Sequence, residues 1–215
     1  MNQTDKLVLA LPKGRVLKQF SDLVKDSKFA LIEKPESSRK LLINTKSAGL
    51  QALIIRGWDV PTFVASGAAH LGVVGKDILI ERNSQEFIEL LDLQIGLCRI
   101  SLSGENKDIL DRSRLKVATK YPRVAKDYLS SLGIQPEIVY LHGSQEIAPS
   151  LDLADVIIDL VETGKTLEDN SLIEINIIRR ISTRLIANKA ALKTRGAFIE
   201  EFQSVILKAL RNYYV

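Results

Sequence analysis

The chain carries one cysteine, Cys98, among 215 residues. That excludes an intrachain disulfide and leaves no thiolate cluster for a metal. Two histidines, His70 and His142, are too few for a histidine-based zinc site to be expected. No apolar run approaches the ~20 residues of a membrane span. The amino terminus, Met1-Asn2-Gln3-Thr4-Asp5-Lys6, passes directly into a short strand pattern. It has no cationic segment followed by a long apolar one, so a secretory leader is not expected and the cytoplasm is the default location. Internal repeats and low-complexity linkers are also missing. The excess of basic residues is small, 30 Lys and Arg against 26 Asp and Glu, with no concentrated basic tract. Charge alone therefore fits anionic small molecules and nucleic acid equally. What remains is an ordinary globular composition, 46% hydrophobic and 26% charged, in a length that suits one large domain or two small lobes.

The chain reads as alternating strands and helices. Residues 7–11 are a buried-type strand, broken by Pro12-Lys13-Gly14-Arg15. Apolar positions 16, 17, 20, 23 and 24 then follow helical spacing. This puts Lys13 and Arg15 near a helix amino terminus, where anions bind readily. Ser37-Ser38-Arg39-Lys40 precedes a strand at 41–43, and 53–55 is another strand, ending in Arg56-Gly57. Asp59 is placed to cap a helix with Pro61 in its first turn, through residue 65. Gly67-Ala68-Ala69 leads into Leu71-Gly72-Val73-Val74, a strand with close backbone packing, and Asp77 is placed to cap a helix over 78–82. Arg56, Lys76 and Asp77 thus gather where strands end, the usual ligand-binding edge of open α/β sheets. Further strands are expected at 95–101, 115–119, 138–141, 172–178 and 183–187. Helices are expected after Pro122, stopping at Gly133, briefly from Gly143 to Pro149, and over 190–214. The order predicts an α/β fold with largely parallel sheets. The strands at 95–101 and 172–178 are candidate crossings between two lobes.

The most informative stretch is Asp155-Val156-Ile157-Ile158-Asp159-Leu160-Val161-Glu162-Thr163-Gly164-Lys165-Thr166. An apolar strand, broken only by Asp159, delivers Thr-Gly-x-Thr at its carboxyl end. Gly164 lets the backbone approach a ligand closely, and consecutive amides with two hydroxyls form an anion-binding concavity. Asp159 and Glu162 flank it, suited to ribose hydroxyls or to Mg²⁺. Gly164-Lys165-Thr166 is not the end of a Walker loop. That motif needs a glycine where Asp159 stands, and the intervening residues are a strand.

Taken together, the pieces resemble the ATP phosphoribosyltransferase family of histidine biosynthesis. They are Leu9-Ala10-Leu11-Pro12-Lys13-Gly14-Arg15, Arg56-Gly57-Trp58-Asp59-Val60-Pro61, Leu71-Gly72-Val73-Val74-Gly75-Lys76-Asp77, Ala118-Thr119-Lys120-Tyr121-Pro122, Gly143-Ser144-Gln145-Glu146-Ile147-Ala148-Pro149, and the stretch just described through Leu167. They occur in the family's order across nearly the whole chain. Two residues depart from the family pattern. His70 stands where an acid is usual and reads as a surface change at a turn. Asp152 stands where Gly is usual and raises the question of a positive φ.

The resemblance implies a two-lobed α/β fold similar to type II periplasmic binding proteins, with the ligand in the interlobe cleft. Residues 1–95 with 180–215 would form lobe I, and 96–179 lobe II with the phosphate loop. It implies transfer of the 5-phosphoribosyl group from phosphoribosyl pyrophosphate to N1 of ATP, with Mg²⁺ as cofactor. Thr163, Gly164, Lys165 and Thr166 would hold the 5-phosphate, and Asp159 and Glu162 the ribose hydroxyls or metal. Lys13, Arg15, Arg39, Arg56, Lys76, Asp77, Ser144 and Glu146 would face ATP or pyrophosphate. Tyr121 would either stack on a base or pack in the core. No general base and no specific metal ligand can be named. The chain looks like the family's short form, which works with a separate regulatory subunit resembling a histidyl-tRNA synthetase core. A homodimer or larger hetero-oligomer is expected, with neither nucleic acid nor membrane as partner. The broad apolar girth of the terminal helix, from Phe198 to Leu210, is consistent with burial by more than one neighbour. The alternatives are a non-enzymatic two-lobed solute-binding module and another phosphoribosyltransferase class. The latter usually has two adjacent acids before its loop, whereas Asp159 and Glu162 are separated.

Overall fold

The computed structural model describes residues 6–33, 35 and 39–213. Ser37 and Ser38, and the last residue of the expected terminal helix, Tyr214, lie outside them. The chain divides into two compact units, Met1–Gly96 with Ser182–Val215, and Leu97–Ile181.

In the first unit β1 (Leu7–Pro12) leads into α1 (Arg15–Val24), then β2 (Leu42–Asn44), β3 (Leu50–Ile55), α2 (Val60–Ala65), β4 (Leu71–Gly75), α3 (Lys76–Arg82) and β5 (Phe87–Asp92). The second unit holds β6 (Cys98–Gly104), β7 (Arg114–Thr119), α4 (Pro122–Ser131), β8 (Gln135–Tyr140), β9 (Val156–Val161), α5 (Lys165–Asp169) and β10 (Ile173–Ile181). The chain then completes the first unit with β11 (Thr183–Asn188), α6 (Lys189–Thr194) and α7 (Gly196–Tyr213).

Each unit is built on one sheet, ordered β2-β3-β1-β4-β11-β5 in the first and β10-β6-β9-β7-β8 in the second. The expectation of largely parallel sheets needs correction. β1 runs parallel to β3 and β4, and β7 parallel to β8 and β9. The remaining pairings, β2–β3, β4–β11, β11–β5, β6–β9 and β6–β10, are antiparallel. The sheets are therefore mixed, with the parallel strands joined through helices and the strands before and after the unit boundaries running against them.

Strand alternation sorts the first core. Leu7, Leu9 and Leu11 face one side with Phe20 of α1 and Phe202 and Ile206 of α7. Ala10 and Val74 face the other, with Val60 and Val64 of α2 and Ile78 of α3. Helices on both faces explain why these strands read as continuous apolar runs. Gly72 permits the closest approach: a Cβ there would lie 2.7 Å from methyls of both Val60 and Val64. In the second unit Ala118, Ile157, Val161, Leu167 and Leu172 form one apolar layer. α4 packs against β7 and β8 and buries Val124, Ala125 and Leu129.

Several local expectations change. β5 was not expected; it is an edge strand whose Ile88 is exposed, so its pattern is weak. Asp77 does not cap α3. The helix starts two residues earlier than expected, at Lys76, and Asp77 is buried in its first turn. Asp59 precedes α2 but makes no side-chain capping bond. The expected helix over 190–214 is two helices, interrupted at Arg195 with φ −132° and ψ 23°. Asn188 caps the first of them, its Oδ1 accepting from the amides of Ala190 and Ala191 at 2.9 and 3.0 Å. The apolar girth of α7 is largely met within its own unit. Ile199, Phe202, Ile206 and Leu210 are buried, Phe29 packs on the rings of Phe198 and Phe202, and Leu207 stays exposed. His70 is not a solvated turn residue. Its Nδ1 accepts from the Val8 amide at 3.0 Å, and burial together with Arg195 holds its pKa below the ordinary 6.5. Asp152 does adopt the left-handed conformation, φ 53° and ψ 20°.

Candidate active site

β9 is the middle of the second sheet, between β6 and β7. Its apolar residues bury it on both faces, so Asp159 is carried into a nearly dry environment. The charge is met by Lys120, whose Nζ lies 2.8 Å from Asp159 Oδ1, with both side chains largely shielded. The Leu160 amide donates to the same oxygen at 2.7 Å. Lys120 follows Thr119 at the end of β7, whose hydroxyl donates to the Ile158 carbonyl at 2.6 Å and so ties the two strand ends together.

Beyond Val161 the chain turns through Glu162, Thr163 and Gly164. Gly164 sits at φ +90°, a conformation that side chains with a Cβ rarely adopt. Its carbonyl then accepts from the amides of Leu167 and Glu168 at 3.0 and 3.2 Å, opening α5. Leu167 is buried and anchors the loop to the apolar layer. Among the described residues, the amides of Thr163 and Gly164 find no backbone acceptor. The loop borders a cavity of about 270 Å³, lined by Ser103, Glu146, Asp159, Glu162, Thr163, Gly164 and Thr166 among others. The structure thus brings together most of the residues expected to hold phosphoribosyl pyrophosphate. Lys165 is exposed and is not part of that lining. Ser103 adds a buried hydroxyl without a hydrogen-bond partner.

The first unit holds a second concentration of charge. Gly14 precedes α1 at φ 92° and ψ −149°, a region reserved for glycine. Lys13 and Arg15 flank it, and with Lys18, Arg39 and Lys40 they border a cavity of about 570 Å³ floored by Leu17, Leu41 and Ile54. No acid occurs among its described lining residues. Cations over an apolar floor suit a ligand with phosphates at one end and a ring at the other.

The other expected contacts are dispersed. Arg56 is exposed on the turn before α2. Lys76 is paired with Glu89. Asp77 is buried. Ser144 is exposed in a left-handed turn, whereas Glu146 reaches the cavity beside β9. Tyr121 is fully buried, so it packs in the core and no face is open to a base.

Sequence reasoning missed Arg99, Ser101, Ser103, Lys120 and Glu174. Arg99 donates through Nε and Nη2 to both carboxylate oxygens of Glu174, at 2.6 and 2.9 Å. This pairing holds Glu174 below the ordinary carboxylate range and raises Arg99. Their signal was weak, because β6 also carries Ser101 and Ser103, and β10 also carries Asn176, Arg179 and Arg180. Among the described residues no three His, Cys, Asp or Glu side chains gather to hold a metal. The acids lining the cavity beside β9 fit an ion that arrives largely coordinated by water and a phosphate-bearing ligand, as Mg²⁺ commonly is.

A family model described as HisG: ATP phosphoribosyltransferase matches residues 56–209. The ATP phosphoribosyltransferase of Pseudomonas fluorescens (strain SBW25) is 44% identical over 206 residues, covering 96% of this chain and 98% of that protein. Among solved structures, the ATP phosphoribosyl transferase (HisG:HisZ) complex from Thermotoga maritima contains a chain that superposes with a TM-score of 0.82 at 30% identity, covering 96% of this chain and 99% of that one. A putative periplasmic sulfonate-binding protein from Methylobacillus flagellatus gives a TM-score of 0.60 at 19% identity, covering 95% of this chain and 68% of its own, a likeness of fold alone. With the family model spanning most of the chain and a relative of this identity matching nearly all of it, the chain belongs to the ATP phosphoribosyltransferase family.

Proposed function

We propose that the chain joins ATP to 5-phosphoribosyl 1-pyrophosphate, giving phosphoribosyl-ATP and pyrophosphate, the first step of histidine biosynthesis. Besides the family itself, the observation that carries this reading is the Glu162–Thr166 loop, a glycine-turned anion cradle beside acids at the end of a buried strand. The adenine N1 lone pair forms a bond to the anomeric carbon as the bond from that carbon to pyrophosphate breaks. The anomeric centre becomes cation-like, so the protein's tasks are alignment and neutralisation of phosphate charge.

In this reading the amides and hydroxyls of Thr163, Gly164 and Thr166 take the 5-phosphate, with Lys165 adding charge from the loop's outer side. Glu162 faces the ribose hydroxyls. Asp159 shares that role only through its pairing with Lys120, which moderates its negative charge beside anionic substrate. Lys13, Arg15 and Arg39 take the ATP or pyrophosphate oxygens, with Arg56 and Lys76 as further cations and Ser144 and Asp77 as peripheral positions. Mg²⁺, held by substrate pyrophosphate with Glu146 or Glu162, would disperse the charge of the leaving group. A separate regulatory subunit belongs to the same reading, supported by the two-component Thermotoga complex, as does work in the cytoplasm.

The test is incubation with ATP, labelled phosphoribosyl pyrophosphate and Mg²⁺, with and without a HisZ-type subunit. Label should move into phosphoribosyl-ATP in at least the second arm. No transfer in either arm, with a folded chain, would overturn the proposal.

A further inference from the structure

We propose that Arg99 is a positioning residue for the phosphate loop, fixing the loop's first turn through the Glu162 carbonyl. It rests on reading Glu162–Thr166 as that loop. Arg99 pairs in register with Val161, the last residue of β9, so its side chain stands where the strand gives way to the turn. The guanidinium uses all three of its nitrogens. Nε and Nη2 grip Glu174 of β10, and Nη1 donates to the Glu162 carbonyl at 2.8 Å. Ser101 donates to the same Glu174 oxygen that receives Nε, so the carboxylate is itself held from two sides.

The chemistry explains why an arginine serves here. A planar fork can meet a carboxylate with two parallel bonds and still aim a third donor elsewhere, whereas a lysine has one point of charge. The loop carbonyl is thereby fixed to two strands whose own hydrogen bonds do not reach it. With the Glu162 carbonyl turned toward Arg99, the Thr163 amide of the same trans peptide points away from it, and it and the Gly164 amide, which find no backbone acceptor among the described residues, can face a bound anion. None of these groups needs to touch substrate. Their effect is to reduce the reorganisation that binding the phosphate would otherwise require.

The experiment is steady-state kinetics on the full chain with its regulatory subunit, varying phosphoribosyl pyrophosphate and ATP separately, alongside thermal unfolding. Arg99→Met should raise KM for phosphoribosyl pyrophosphate about tenfold, the scale of losing one charge-assisted bond. KM for ATP should stay within about twofold, since the ATP cations lie in the other unit. Arg99→Lys should recover part of the loss. Should Arg99→Met fail to fold, Glu174→Gln, of the same shape but uncharged, carries the same comparison. An unchanged KM for phosphoribosyl pyrophosphate, or equal weakening of both substrates, overturns the proposal. Thr163→Ala in the same assay separates the two readings. If it weakens phosphoribosyl pyrophosphate while Arg99→Met does not, positioning by Arg99 is wrong. If neither does, the loop assignment itself is wrong.

Discussion

Gly14 offers a clean measure of how the cationic cavity is held open. Replacing it by Ala adds one methyl group, and no heavy atom lies within 4 Å of where that carbon would go. Packing therefore contributes nothing to the cost. What remains is backbone: φ 92° with ψ −149° is open to glycine and closed to alanine, a strain of about 1–3 kcal/mol. For a chain of this length each kcal/mol moves the thermal midpoint by roughly 2–4 °C, so a fall of about 4–8 °C is expected at the middle of that range. The chain can escape the strain only by rotating the peptide between Lys13 and Arg15. It would then lose the spacing of the two cations and with it affinity for ATP. The assay is thermal unfolding together with calorimetric titration of ATP. Gly196→Ala is the control, because Gly196 opens α7 without a positive φ and with no neighbour within 4 Å. It should leave stability unchanged or raise it by about 0.4–1 kcal/mol. A Gly14→Ala protein with both the parent midpoint and the parent affinity would refute the reasoning.

Other expectations can be checked separately. His70 has a folded pKa below its unfolded one, so the stability it contributes is complete above about pH 6.5 and is lost as pH falls through the folded value. The urea midpoint should therefore drop between pH 7.5 and 5.5, and drop less in His70→Gln; identical slopes would count against this. Asp152→Gly should stabilise by about 0.5 kcal/mol, and Asp152→Ala should destabilise by about 1 kcal/mol, because the site is left-handed; the opposite order in urea titration would dismiss the strain. Arg15→Ala should lower activity and flatten its dependence on salt, since a screened contact has gone. Parent kinetics at both low and high salt would make Arg15 a solvated cation.

The strand and glycine turn of the proposed phosphate loop were legible because their signals are local. An apolar strand, a glycine and two threonines lie within a dozen residues, and the structure forms β9 over Val156–Val161 as expected. Lys13, Arg15 and Arg39 stand out in the sequence for a similar reason, although only the fold shows that they border one cavity. Arg99 and Glu174 could not be found this way. They are 75 positions apart, and the register of β6 against β10 sets Arg99 opposite Arg180 and Glu174 opposite Ser103, so the pair meets only because their side chains reach along the strands. Lys120 was quoted within a motif, but nothing local pairs it with Asp159. β5 escaped because one face of an edge strand carries little apolar signal. The break at Arg195 lies between Thr194 and Gly196, weak helix formers that mark it in the sequence, and the cap at Asn188 belongs to the preceding strand.

The place of β11 has a consequence for synthesis. It lies between β4 and β5, yet it emerges after the whole of the second unit. While a ribosome is still making residues 97–181, β5 has no strand to pair with and β4 presents an open edge. The second unit is one continuous segment and can close on its own as it appears. A chain interrupted before Thr183 would thus carry one finished unit and one with two exposed strand edges, the kind of surface that other nascent chains adhere to. β11 acts as the keystone that removes this hazard, because its arrival covers the open edge of β4 and gives β5 its partner.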